Sequence, residues 1–95
     1  MDLHFFQWMP RDSNVKSKKD LTMLVFLHGM GGTGQIWRPI AASLEEVFLC
    51  IAPDQRGHGQ SRPDPADDAG NFHASDYARD LVVMLERLVQ EQSPL

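Results

Sequence analysis

Leu24-Val25-Phe26-Leu27-His28-Gly29-Met30-Gly31-Gly32-Thr33-Gly34 is the stretch on which the reading of this chain turns. An apolar, strand-like run ends abruptly in His-Gly and passes into a glycine-rich turn. Glycine accepts positive φ and carries no side chain, so such a turn can direct backbone N–H groups at a ligand held at the end of a strand. Twenty residues beyond Gly34 stands a second signal, Asp54-Gln55-Arg56-Gly57-His58-Gly59-Gln60-Ser61. Each is weak alone, and the pair at this spacing is much stronger.

Outward from these motifs, strands alternate with helices. Leu3 to Trp8 is short and aromatic and reads as a strand, followed by a polar, hairpin-like loop from Met9 to Asp20. Leu21 to Leu27 is almost wholly apolar, the pattern of a strand covered on both faces. Trp37, Ile40, Ala41 and Leu44 are spaced for one face of a helix, and Val47 to Ala52 is again an apolar strand. Pro53 to Asn71, rich in Pro, Gly and Asp, reads as a long exposed loop. The last helix carries a stripe of Tyr77, Ala78, Leu81, Val82, Leu85, Leu88 and Val89, with Ser75 as its expected N-cap, Asp76 in its first turn and Ser93-Pro94 as its end. Strand, strand, helix, strand, helix without an internal repeat indicates an α/β layer architecture.

Composition narrows the function classes. Ninety-five residues suffice for one domain, and 42% hydrophobic with 23% charged residues is ordinary for a globular chain. A net charge of −4 gives no reason to expect nucleic acid or an anionic membrane as partner. No apolar run approaches the roughly 20 residues of a membrane span, and the first residues lack the basic flank and apolar core of a signal peptide. The single cysteine, Cys50, has no internal disulfide partner, which suits a reducing, cytoplasmic setting. No His, Cys and Asp spacing forms a metal site, and no cofactor is expected.

Gly29-x-Gly31-x-x-Gly34 also fits a dinucleotide-binding fingerprint, with Asp54 near the position of a ribose-binding acid. Pro39 opposes this reading. In that fingerprint the helix begins within the glycine motif, so Pro39 would fall in its second turn or beyond and cost roughly 3 kcal/mol. A helix starting near Ile36 or Trp37 places Pro39 in the first turn, where it is tolerated.

The same backbone reads differently in another family. His28-Gly29-Met30-Gly31-Gly32 resembles the oxyanion-hole turn of the α/β-hydrolase superfamily, and Asp54-Gln55-Arg56-Gly57-His58-Gly59-Gln60-Ser61 is similar to the Asp-x-Arg-Gly-His-Gly-x-Ser loop after its next strand. The resemblance runs from about Leu3 to Leu88. It implies a partial α/β-hydrolase fold, a three-stranded, mostly parallel sheet with two helices, in which the Leu3 strand is outermost, the Val47 strand central and the Leu21 strand at the other side. It also implies hydrolysis of an ester-, thioester- or lactone-like small molecule, with the Met30 backbone N–H as oxyanion donor. A fixed N–H dipole at that place is worth roughly 3–4 kcal/mol in the transition state. Gly29, Met30 and Trp37 would line the substrate pocket, and His28, Asp54, Arg56, Gly57, His58 and Gly59 would be structural parts of the two motifs.

The family's chemistry needs a nucleophile on a Gly-x-Ser-x-Gly elbow, an acid and a histidine, in that chain order. No Gly-x-Ser-x-Gly occurs in the 95 residues, and by the family pattern the elbow strand would begin about where the sequence ends. Residues 1–95 are therefore expected to be a single incomplete N-terminal segment, inactive alone. Ser61, His58 and Asp54 are expected to be structural rather than a local triad, with His58 bonded within its turn and His28 bracing the oxyanion turn. Cys50 is expected to be buried and inert, His73, Asp76 and Asp80 to lie on the surface, and His4 to have no partner in sequence. The Leu21 strand would present an open, apolar edge, so a homo-oligomer, a complementing fragment or a non-catalytic interaction module pairing through that edge is the alternative reading.

Overall fold

The computed structural model describes residues 1–10, 21–62 and 72–92. Strand β1 spans Phe5–Trp8, β2 Thr22–Val25 and β3 Phe48–Pro53, with helix α1 at Arg38–Leu44 and helix α2 at Ala74–Gln92. They form one sheet in the order β1-β3-β2, with β3 in the centre as the family resemblance implies. The sheet is mixed: β1 runs antiparallel to β3, pairing Phe5 with Pro53 and Trp8 with Cys50, and β2 runs parallel to it, pairing Thr22 with Phe48 and Val25 with Ile51. The Met9–Asp20 loop lies largely outside the described residues, as do residues 63–71 and the Ser93-Pro94 stop.

Alternation along β3 divides the core into two layers. Leu49 and Ile51 are fully buried with Met84 and Leu88 of α2, flanked by Phe5, Met23, Val25, Leu81 and Leu85. Burying each such side chain contributes about 1.5–3 kcal/mol. Cys50 and Ala52 point to the opposite face, where β3 contacts α1 and Ala41 is buried. Their small side chains suit the close approach of that helix. Cys50 is buried as expected, and burial, then the nearby Glu45 charge, pushes its thiol pKa up.

The entry to α1 bears on Pro39. A short 3-10 turn, Gly34–Trp37, opens with Thr33 as its cap, and α1 follows with Arg38 first and Pro39 second. Proline there removes an N–H that has no helical partner in any case. Helix α2 differs from its sequence reading in two ways. It starts at Ala74, so His73 and not Ser75 precedes it, and the Asp76 carboxylate accepts the His73 N–H at 3.0 Å, one half of a capping box. Its buried line is Asp80, Met84 and Leu88, whereas Val82 and Val89 of the apparent stripe are exposed.

Asp80 is the main correction. It is not a surface residue: it is 1% exposed and takes a bidentate pair of hydrogen bonds from Arg56, Nε and Nη2 both at 2.8 Å, with the Met1 ammonium 3.1 Å from Oδ1. A second correction concerns the Pro53–Asn71 loop. Pro53 ends β3, and Asp54 and Ser61 are each 1% exposed, so the first part of this segment is folded into the protein rather than exposed.

Burial alone would raise the Asp80 pKa, but the hydrogen bonds and charges of Arg56 and the Met1 ammonium reverse this and hold the carboxyl below the ordinary carboxylate range. A carboxyl whose pKa folding lowers gives the unfolded chain the higher proton affinity, so its stabilisation is complete above the ordinary pKa of about 4 and is lost as pH falls through the lower folded value. Urea unfolding followed from pH 7 downward should therefore show a midpoint that holds steady and then drops below about pH 4. In Asp80→Ala the acid limb should be shallower and the neutral-pH stability lower by roughly 3 kcal/mol or more, because Arg56 is left without its buried counter-charge.

Candidate functional site

β2 delivers the chain to the site. The Phe26 N–H donates to the Ile51 carbonyl at 2.9 Å, carrying the parallel pairing one step past the strand, and His28 is buried immediately after. Gly29, Met30, Gly31 and Gly32 then form a tight turn closed by the Gly32 N–H on the Gly29 carbonyl at 3.0 Å. Gly31, the third residue, has φ +82°, as a type II turn demands at that position. Met30 stands at the turn's tip, its side chain 98% exposed.

Two imidazoles brace this turn from the motif that follows β3. The Gln55 N–H donates to His28 Nε2 at 2.9 Å, so His28 carries its proton on Nδ1 and donates it to the Gly29 carbonyl at 2.7 Å. The Gln55 side-chain amide returns a hydrogen bond to the His28 carbonyl at 2.6 Å. In the same way the Gly31 N–H donates to His58 Nε2 at 3.1 Å, while His58 Nδ1 donates to the Arg56 carbonyl at 2.9 Å. The two rings lie 4.8 Å apart. Both nitrogens of both rings are engaged, so neither histidine presents a lone pair to a reacting group.

Asp54 latches the far end of the glycine run. Its Oδ1 accepts the Gly34 N–H at 2.8 Å, and its Oδ2 accepts the Gln60 N–H at 3.0 Å and faces His4 Nδ1 at 3.2 Å. Glycine at position 34 is required by packing, since a Cβ there would collide with the Ala52 carbonyl. Gly59, with φ +52°, lies against the Asp54 carboxylate, and Gly57, with φ +78°, lies under the ring of Phe72. Ser61 closes the motif: its N–H donates to the His58 carbonyl, and its buried Oγ accepts the His4 N–H at 2.8 Å. Ser61, His4 and Asp54 are thus brought together, but with the serine oxygen buried and bonded to a main-chain group.

These bonds bear on what the turn can hold. The N–H groups of Gly31, Gly32 and Gly34 are all spent inside the protein, on His58, Gly29 and Asp54, and so are not turned toward a pyrophosphate. The Met30 N–H has no partner among the described residues. Beside it opens a cleft of about 620 Å³ lined by Gly29, Met30, Gln55, His58, Phe72 and Tyr77. Trp37 is not in that lining; it stacks on Phe26 with centroids 5.2 Å apart, and its indole N–H is buried without a partner among the described residues. A smaller apolar cavity of about 230 Å³ adjoins the cleft through Gln55 and Tyr77 and reaches Leu27 and Leu81.

Several contributors escape sequence reasoning. His4 meets Asp54 from 50 residues away, a pairing that no local pattern shows. Asp80 had a signal, since it sits four and eight residues before the buried Met84 and Leu88, and a carboxylate on a buried helical line calls for a cation. Each buried donor left unpaired costs roughly 1–3 kcal/mol. Asp54→Ala strands the N–H groups of Gly34 and Gln60, so it should lower the urea-unfolding free energy by about 2 kcal/mol or more. Hydrogen exchange should show both amides losing protection together, with Asp54→Asn intermediate.

Comparison with known proteins agrees with this geometry. Residues 22–93 match the family model described as alpha/beta hydrolase fold. The chain is 32% identical over 78 residues to 2-(acetamidomethylene)succinate hydrolase of Mesorhizobium japonicum, covering 81% of this chain and 26% of that protein. It is 41% identical over 51 residues to cis-3-alkyl-4-alkyloxetan-2-one decarboxylase of Xanthomonas campestris, covering 53% and 17%. Among solved structures it resembles a marine microorganism esterase, with a TM-score of 0.71 and 27% identity over 93% of this chain and 28% of the esterase. The chain therefore spans about a quarter or less of the length of these proteins. Motifs, sheet order and matches converge, and the chain belongs to the α/β-hydrolase fold family.

Proposed function

We infer that this chain supplies one oxyanion-hole donor and part of the pocket wall of a serine-type α/β-hydrolase acting on ester-, thioester- or lactone-like small molecules. The observation that carries this reading is the unpaired Met30 N–H, held beside an open cleft by a turn whose following glycine N–H groups are all internally bonded. A donor fixed in this way needs no reorganisation when charge develops on a substrate carbonyl oxygen, the condition under which one such group is worth roughly 3–4 kcal/mol. The names of two matched proteins, a hydrolase and an esterase, support the reaction class.

The nucleophile is not supplied by the residues of this site. Ser61 Oγ is buried and bonded to the His4 N–H, both imidazoles are committed to the turn, and the sequence contains no Gly-x-Ser-x-Gly. By itself the chain is catalytically silent. With p-nitrophenyl acetate the 95-residue chain should give no rate above buffer, while a short neutral ester should shift the Met30 amide resonance in a two-dimensional NMR titration. Turnover that disappears in Ser61→Ala would overturn the assignment of roles, and an unmoved Met30 amide would remove the donor.

The sheet order favours a second reading. Among the described residues β2, which contains Met23, Leu24 and Val25, is paired on one side only, by β3. An open apolar edge invites pairing with another strand, so the chain would act as an interaction module. Size-exclusion chromatography with light scattering distinguishes the two: a dimer lost on Leu24→Lys supports edge pairing, and a monomer across the micromolar range counts against it.

A further inference from the structure

The sulfur atoms of the chain differ sharply in cover. Met84 is 4% exposed in the core, and Met9 and Met23 pack against that core. Met1 is partly covered, with its ammonium on Asp80. The one thiol, that of Cys50, is fully buried. Met30 stands apart at 98% exposed. Cover decides which sulfur an oxidant meets first, because the reagent must reach its lone pair.

The flanks of Met30 are as open as its tip. A Cβ built at Gly29 or at Gly31 would meet nothing within 4 Å, so the turn has open space on both sides of residue 30. The backbone beneath is held. The Gly32 N–H is bonded to the Gly29 carbonyl at 3.0 Å and the Gly31 N–H to His58 Nε2 at 3.1 Å. The Met30 N–H between them has no partner among the described residues. An unbranched side chain with three rotatable bonds thus stands on a fixed peptide whose donor is unspent.

These two facts meet in the chemistry of sulfur. A thioether is a weak acceptor, whereas oxidation makes the side chain polar and gives it a strong acceptor oxygen. From that oxygen to the amide hydrogen of the same residue the path runs only through Sδ, Cγ, Cβ, Cα and N, so a hydrogen bond between them closes a compact ring. We propose that Met30 is a reversible oxidation site for hydroperoxides, whose sulfoxide oxygen takes up the Met30 N–H and closes the donor. In this step the sulfur attacks one peroxide oxygen, an S–O bond forms and the O–O bond breaks. The proton on the transferred oxygen passes to the departing one, so hydrogen peroxide leaves as water. Sulfur loses two electrons and the peroxide gains them, and methionine sulfoxide reductases reverse the change. The regulatory meaning rests on the proposed function, which makes this N–H an oxyanion donor; the oxidation itself does not.

The test is limited treatment of the full 95-residue chain with hydrogen peroxide, followed by peptide mass mapping and by the Met30 amide in NMR. Met30 should convert ahead of the other four methionines. On conversion its amide proton should shift downfield and exchange more slowly with solvent, while the Gly31 and Gly32 amides keep their protection. Ethyl acetate should bind the oxidised chain at least about threefold more weakly than the reduced one, the scale of one net hydrogen bond. A pair of methionine sulfoxide reductases, one for each epimer, should restore the first spectrum, and in Met30→Leu peroxide should leave the turn unmoved. Earlier oxidation of another methionine, a Met30 amide that exchanges as fast after conversion as before, or equal ester affinity in the two forms would each overturn the proposal. An amide that responds to oxidation but to no ester in the reduced chain keeps the oxidation site with its closed ring, and removes the oxyanion donor instead.

Discussion

The carboxylate of Asp54 is the constraint on which the rest of the site depends. Buried charge is costly unless it is fully hydrogen-bonded, and here the main chain meets that demand. Gly34 and Gln60 offer N–H groups and His4 an imidazole nitrogen, so one residue ties the end of the glycine run, the tip of the second motif and the start of β1 together. The glycines follow from this arrangement. Position 34 lies against the Ala52 carbonyl and position 59 against the carboxylate itself, and neither leaves room for a side chain. What reads in sequence as a long exposed loop begins with residues that permit close approach.

The two histidines extend the same logic to the turn. Each is wedged by accepting one main-chain N–H and donating to one carbonyl, which sets its tautomer and removes it from proton transfer. Their role is geometric: they hold Gly29 and Gly31 so that the peptide between them keeps one orientation. Among the described residues the Met30 N–H has no partner, while the N–H groups of Gly31 and Gly32 are both bonded within the protein.

Much of this was open to sequence reasoning and some was closed to it. The apolar runs place all three strands, and Pro39 places the start of α1, because these signals are local and one physical rule governs each. The candidate site was legible for a different reason, the resemblance of the two glycine motifs to those of the α/β-hydrolase superfamily. The inward turn of Asp54 and Ser61 was hidden by a composition typical of exposed loops, since Pro, Gly and Asp also build tight buried turns when a strand end must be capped. Asp80 was hidden by the hydrophobic stripe. Tyr77, Ala78 and Val82 suggest one helical face, but the buried line runs through Asp80, and only the tertiary partner Arg56 makes that line tolerable. The cleft walls needed the fold, because Phe72 and Met30 are 42 residues apart and meet only through the loop that Gly57 lets Phe72 cover.

The first strand has a consequence for the order in which this site can form. His4 donates its N–H to Ser61 across 57 residues and faces Asp54 across 50, and the Met1 ammonium reaches Asp80 across 79. Contacts of such separation close long loops, an entropic cost met before they return any stabilisation. The hydrogen-bond set of Asp54 is therefore complete only when the start of the chain has met the second motif. Fraying of β1, an element remote from the cleft, would loosen the carboxylate latch and with it the end of the glycine run that this latch holds.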